Sequence, residues 1–335
     1  MLCIKSLIPS LFPFVIITTM LNSQLQGYST SVLAPIGKLC GIPRGQESIF
    51  LLGILGGYPV GAQCIYQSYQ QRTIDKKDAI RLLGFCNNAG PSFLFGIIGG
   101  MFSDSHTIWL LWGIHILSSL LTGILLPGRS NAEGISVSSR RLSIHQAMKI
   151  SVKNMANICG WVIWFRVVLH LLFRWILWGV PVVWRVILSG LTELSNGSLM
   201  LLQIENPGLR FVISSVFVGF GGICVAMQTA SATDKLGLGL YFPGKFIQTF
   251  LSFLFSGFVQ FIIFDPADQW KIPIWVLGLA VVLGTGIIFI IRKITVDFMR
   301  SMMYNDSKDA RKRSKACCFE KSSPAPAAIA SMLPK

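Results

Sequence analysis

Read for where apolar and polar positions fall, the chain resolves into long apolar windows separated by charged connections. Crossing a bilayer takes about 20 residues of apolar helix, and seven windows qualify: 3–25, 78–102, 106–128, 155–178, 209–230, 241–264 and 273–292. Two more apolar stretches, 47–70 and 180–205, are broken by turn residues and read as hairpins that enter and leave on one side. Such backbone is tolerated at membrane depth only where protein or a watery cavity satisfies it. Segment 28–42 is short and mixed and receives no assignment.

Polar interruptions recur in two matched pairs. The Gly-rich "LGGYPVGA" at 55–62 is followed about 30 residues later by "CNNAGPS" at 86–92; "LTELSNGS" at 191–198 is followed at the same interval by "FGGICVAMQTAS" at 220–231. Each pair is a hairpin and then a broken helix, the pattern of an inverted repeat with a binding site near the bilayer midplane. Pro91 lacks an N–H and obstructs the preceding turn, so a helix entering through Phe85 should stop near Asn88 and restart after Pro91. Orphan carbonyls and N–H groups at such a break cost several kcal/mol each in hydrocarbon unless something polar meets them. Asn87, Asn88 and Ser92 are placed to cap the break, to contact a ligand, or both. Gly61, Gly90, Pro91, Gly221 and Gly222 are the expected hinge and break positions, although Gly57 and Gly61 together also form a GxxxG pattern that packs helices.

Composition agrees with this reading and narrows the class. With 52% hydrophobic and 13% charged residues, the chain is an integral membrane protein. The net charge of +15 comes from loops and tail, which argues against a nucleic-acid surface and for the positive-inside bias. Loop 72–81 carries Arg72, Lys76, Lys77 and Arg81; loop 129–153 carries five Lys or Arg; the tail from Arg292 carries ten. These three segments are expected in the cytoplasm, with "FSDSH", "IENPGLR" and "FDPADQWK" outside. The first hairpin then opens from the cytoplasm and the second from outside. That arrangement gathers Trp109, Trp112, Trp175, Trp178, Trp270 and Trp275 near the outer interface as an aromatic belt. Eight cysteines without a CxxC pair suggest neither a disulfide framework nor a zinc site, and segment 2–25 reads as a retained membrane helix rather than a cleaved signal.

Two charged features need an account. Glu193 is a carboxylate near the middle of the expected second hairpin; it is functional if deep and merely exposed if the hairpin ends at the interface. Arg166, His170 and Arg174 share one helical face at i, i+4 and i+8. That face could attract an anion through Arg166 and His170, while Arg174, close to Trp175 and Trp178, suits snorkelling to the interface.

The motifs "LLGILGGYPVGAQ", "RLLGFCNNAGPSFLFG", "LTELSNG" and "FGGICVAMQT" resemble the nucleoside-recognition (Gate) domain, in the form carried by YlbJ-type (SpoVV) sporulation integral membrane proteins. The resemblance covers residues 45–265. It implies kinship to concentrative nucleoside transporters, two inverted hairpin-containing repeats, a role in endospore formation and a dipicolinate-like substrate, a small aromatic dicarboxylate. By the same analogy Gly57, Tyr58, Pro59, Asn87, Asn88, Ser92, Glu193, Asn196 and Gln228 line the central site.

The expected fold is an all-α multipass membrane protein with about seven to nine spanning helices. Its divisions are an N-terminal membrane segment (1–44), a first Gate-like repeat (45–128), a basic loop (129–154), a second repeat with the last helix (155–292) and a basic flexible cytoplasmic tail (293–335). The leading function is a permease of the cell membrane, around the forespore if the sporulation resemblance holds. It would move a small polar or anionic aromatic solute by alternating access, without a cofactor, passively or with a coupling ion. Its partners would be the solute, the bilayer and a second copy of the chain. Neither a P-loop nor HExxH nor GxSxG occurs, so an enzyme is a weaker reading. A non-transporting membrane scaffold and a nucleoside transporter compete with the permease.

Overall fold

The computed structural model describes residues 3–25, 32–128, 142–263 and 274–322, and every regular element in them is helical. Trp270 of the expected belt, Arg129, Arg140 and Arg141 of the basic loop, and the last residues of the tail lie outside the described residues.

A leading segment, a π-helical turn at Cys3–Leu7 running into α1 (Ile8–Leu25), precedes a short α2 (Ala34–Cys40). The first repeat follows: α3 (Ser48–Gly56) and α4 (Val60–Gln70) form a hairpin, α5 (Lys76–Leu83) and α6 (Pro91–Phe93) flank an unwound stretch, and α7 (Ser105–Leu125) completes it. Helical turns continue α6 to Met101. After α8 (Ile144–Trp175) the same order returns: α9 (Val182–Thr192) and α10 (Leu194–Met200) as a hairpin, α11 (Pro207–Phe220) and α12 (Gly222–Thr233) as a broken helix, then α13 (Tyr241–Ile263). The last helix is α14 (Ile274–Ser322).

Among the described residues five segments are long and apolar enough to cross a membrane: Ile8–Leu25, Ser105–Leu125, Ile144–Trp175, Pro207–Thr233 and Trp275–Met302. The hairpin arms are not. The longest has 11 residues, which at 1.5 Å per residue reaches about 17 Å, against about 30 Å of hydrocarbon. Both hairpins are therefore re-entrant in form, as the turn residues imply.

Local sequence accounts for several boundaries. Asp75, Asp104 and Asn206 accept from backbone N–H groups of the first turns of α5, α7 and α11, and Ser143 with Gln146 makes a capping box that starts α8. Because of that box α8 begins eleven residues before the expected span, so Lys149 and Lys153 ride on a helix and not in a loop. α14 likewise differs from the flexible tail expected from 293: residues 293–322 contain neither Gly nor Pro, and helix persists to Ser322, two residues before Pro324.

The two repeats pack reciprocally. The second arm of the first hairpin, α4, lies on α12, and the second arm of the other, α10, lies on the turns that continue α6. Each hairpin also pinches shut at a glycine pair. A Cβ on Gly61 would sit 3.1 Å from the Cα of Gly53, and one on Gly197 would sit 2.1 Å from the Cα of Gly190. Only hydrogen at these positions lets the arms cross.

Candidate functional site

At the first break helix stops at Leu83, five residues before the expected Asn88, and restarts at Pro91 as expected. Between them the backbone groups are met by the protein itself. The carbonyl of Phe85 accepts from Asn88 Nδ2 (2.7 Å) and from Ser119 Oγ (2.6 Å), and the N–H of Ala89 donates to His115 Nε2 (3.1 Å). The carbonyl of Asn87 accepts from Nζ of Lys245 at 2.6 Å. Gln248 donates to Asn88 Oδ1 (2.9 Å) and turns its own oxygen to Lys245 (2.8 Å). Asn87 holds the other repeat, donating to Thr229 Oγ1 at 2.8 Å while accepting from the Ala62 N–H at 3.3 Å. Asn87, Asn88, Lys245 and Gln248 are all fully buried.

The second break is made differently. Gly221 and Gly222 both take positive φ, 84° and 86°, so the chain turns sharply without a proline. A Cβ on Gly222 would meet the carbonyl of Gly190 at 3.1 Å and the N–H of Leu194 at 3.3 Å, so the second hairpin closes directly on this break. In the first repeat Gly57 (φ 74°) closes on the break in the same way, its Cβ position lying 2.9 Å from Gly90 N. Gly61, expected at a hinge, lies inside α4 and serves the crossing with Gly53.

Between the tips lies a cavity of about 40 Å³, lined by Gly57, Tyr58, Gly90, Glu193, Ser195 and Gln228, with apolar side chains of α1, α6, α8, α10 and α12 around them. That volume suits one or two waters, so an aromatic solute would require the tips to part. Tyr58 ties the first tip to the second repeat by donating to the Val218 carbonyl at 3.1 Å. Glu193 is buried and caps α10, its two oxygens accepting from Ser195 N (2.9 Å) and Asn196 N (2.6 Å). Gln228 makes only a 3.4 Å contact, to Cys224 Sγ. Ser92 Oγ and Asn196 Nδ2 are buried without a partner among the described residues.

Of the expected site residues, Gly57, Tyr58, Glu193 and Gln228 thus meet around one cavity, and Gly90 joins them. Asn87 and Asn88 lie behind it as the mortar of the break, and Pro59 starts α4. Arg166 and His170 are both exposed on α8 and neither lines the cavity, although Arg166 donates to Asn196 Oδ1 at 2.8 Å. Arg81, expected in the basic loop, is buried instead. Its guanidinium donates to the carbonyls of Cys40 (2.6 Å), Gly41 (3.1 Å), Gly123 (2.6 Å) and Pro127 (3.1 Å), tying the ends of α2 and α7 together.

Lys245 and Gln248 escape the sequence reading. The signal was present: one Lys and one Gln three residues apart inside the apolar window 241–264, on one helical face. Gly244 completes the arrangement, since its Cβ position would fall 2.3 Å from the carbonyl of Gly84, and this close approach brings Lys245 to the break.

Over 311 aligned residues the chain is 23% identical to the sporulation integral membrane protein YlbJ of Bacillus subtilis strain 168, covering 79% of this chain and 76% of that protein. The chain is similar to a sporulation membrane protein. No family model matches it, and no solved structure matches it. The similarity and the apolar helices support a membrane location.

Proposed function

We propose that the protein is a membrane permease in which two re-entrant hairpins alternately open a central cavity to the two sides of the bilayer. The observation that carries this reading is the closure of both hairpin tips on the helix breaks, Gly57 on Gly90 and Gly190 with Leu194 on Gly222, around the cavity lined by Tyr58, Glu193 and Gln228. Paired, glycine-interrupted elements of this kind place a solute between them in many transporters. The cavity mixes apolar walls with few polar groups, which suits a small aromatic solute bearing polar substituents.

The motif resemblance to Gate-domain proteins of the SpoVV type makes dipicolinate the solute to try first, with a nucleoside second, and the similarity to YlbJ supports a sporulation setting. In this reading the tail and loops 72–81 and 129–153 face the cytoplasm and the protein is no enzyme. The test is uptake of labelled dipicolinate into liposomes, with a nucleoside as competitor. Saturable uptake by wild type that is lost in Gln228→Ala supports the reading. No uptake of either solute by folded protein overturns it in favour of a scaffold.

A further inference from the structure

Lys245 is the only fully buried lysine among the described residues, and its surroundings are those of a cation. Nζ donates to Asn87 O at 2.6 Å and Gln248 Oε1 at 2.8 Å, and Tyr58 OH lies at 3.5 Å, its own proton committed to Val218 O. Two ring faces, Tyr58 at 5.2 Å and Tyr241 at 6.0 Å, flank the same nitrogen. These three hydrogen-bond partners are all neutral acceptors, and the orientation of Gln248 is fixed by its donation to Asn88 Oδ1. A half-helix that ends at membrane depth presents carbonyls of this kind to a coupling cation in many transporters. Here a side chain from α13 reaches them first.

We propose that the Lys245 ammonium is a tethered cation, standing where the acceptors of the first break would otherwise take a small monovalent cation such as Na⁺, so that the chain holds the break together without Na⁺. Asn87 O, Gln248 Oε1 and Tyr58 OH form the site, and truncating Lys245 uncovers it. The inference rests on the permease reading only in its corollary, that transport by this chain does not draw on a Na⁺ gradient; the site itself is tested by binding and stability.

The experiment compares thermal unfolding of full-length purified wild type, Lys245→Ala, Lys245→Ser and Lys245→Met in choline, Na⁺ and methylammonium chlorides at equal ionic strength. Wild type should melt at the same temperature in all three salts. Lys245→Ala and Lys245→Ser should melt lower in choline and rise saturably with Na⁺ or methylammonium. Lys245→Met, which keeps the stem and fills the space without charge, should fall and not be rescued. A Na⁺-dependent rise in wild type equal to that in the variants overturns the proposal. So does a failure of Na⁺ and methylammonium to recover both the Ala and the Ser variants. A permease that failed the uptake test but gave this salt pattern would lose its proposed function and keep this site.

Discussion

The ammonium of Lys245 lies 2.6 Å from the carbonyl oxygen of Asn87, a contact that joins α13 to the unwound stretch between α5 and α6. It answers why a membrane segment can carry two asparagines and a proline at its centre. An unwound turn in hydrocarbon is costly only while its backbone groups are orphaned. Here Asn88, Ser119 and His115 meet the groups on one side and Lys245 meets the exposed carbonyl on the other. The break is therefore a preformed feature on which a hairpin tip closes.

The glycine crossings predict matched losses in the two repeats. A Cβ at Gly61 would lie 2.4 Å from the Cys86 carbonyl and one at Gly197 2.1 Å from the Gly190 Cα. Gly61→Ala and Gly197→Ala should each lower stability by about 1–3 kcal/mol through overpacking, read as a lower melting temperature in detergent. Gly113→Ala, with open space around the added methyl, should leave it unchanged or slightly higher.

Arg81 should be irreplaceable by Lys. Removing it takes a donor from five carbonyls at the ends of α2 and α7, and a carbonyl left buried and unpaired costs about 1–3 kcal/mol. Arg81→Ala should therefore cut folded yield sharply. Arg81→Lys should recover little, because a single ammonium cannot reproduce the fork; size-exclusion profiles of the purified variants check this.

Glu193 serves α10 as a cap and lines the cavity, and the two roles separate by substitution. Glu193→Gln retains one side-chain acceptor, whereas Glu193→Ala loses the cap, at about 0.5–2 kcal/mol. Melting should thus fall more for Ala than for Gln. If solute contact is also through the carboxylate, binding should fall for both.

Tyr58→Phe removes one hydroxyl and leaves the Val218 carbonyl without that donor. The buried acceptor should cost about 1–3 kcal/mol and loosen the first tip from the second repeat. Faster amide exchange at residues 57–61, with α7 unchanged, is the expected result.

Much of this architecture is legible in the sequence because the signals are strong and local. "NNAGPS" and "FGGIC" mark the breaks through Pro91 and Gly221, and the short arms around Gly57 and Glu193 mark the hairpins. The capping box of Ser143 and the Gly- and Pro-free run after Arg292 also stand in the sequence, and they set the true extents of α8 and α14. What the sequence conceals is pairing at a distance. Arg81 reads as a loop cation because its acceptors are backbone carbonyls about 40 residues away, and backbone carries no residue type. Lys245 is hidden for the same reason: its principal acceptor is the main chain of Asn87, 158 positions upstream. Arg166 and His170 share a face in sequence and both are exposed, and Arg166 reaches across to Asn196 of the second hairpin.

Alternating access around the cavity is tested most directly at Gln228. In a background with the eight native cysteines replaced by alanine, Gln228→Cys would be exposed to a membrane-impermeant thiol reagent from either side of sealed vesicles, with and without dipicolinate. The permease account predicts labelling from both sides and protection by solute. Labelling from one side alone, or from neither in protein that melts cooperatively, would contradict it.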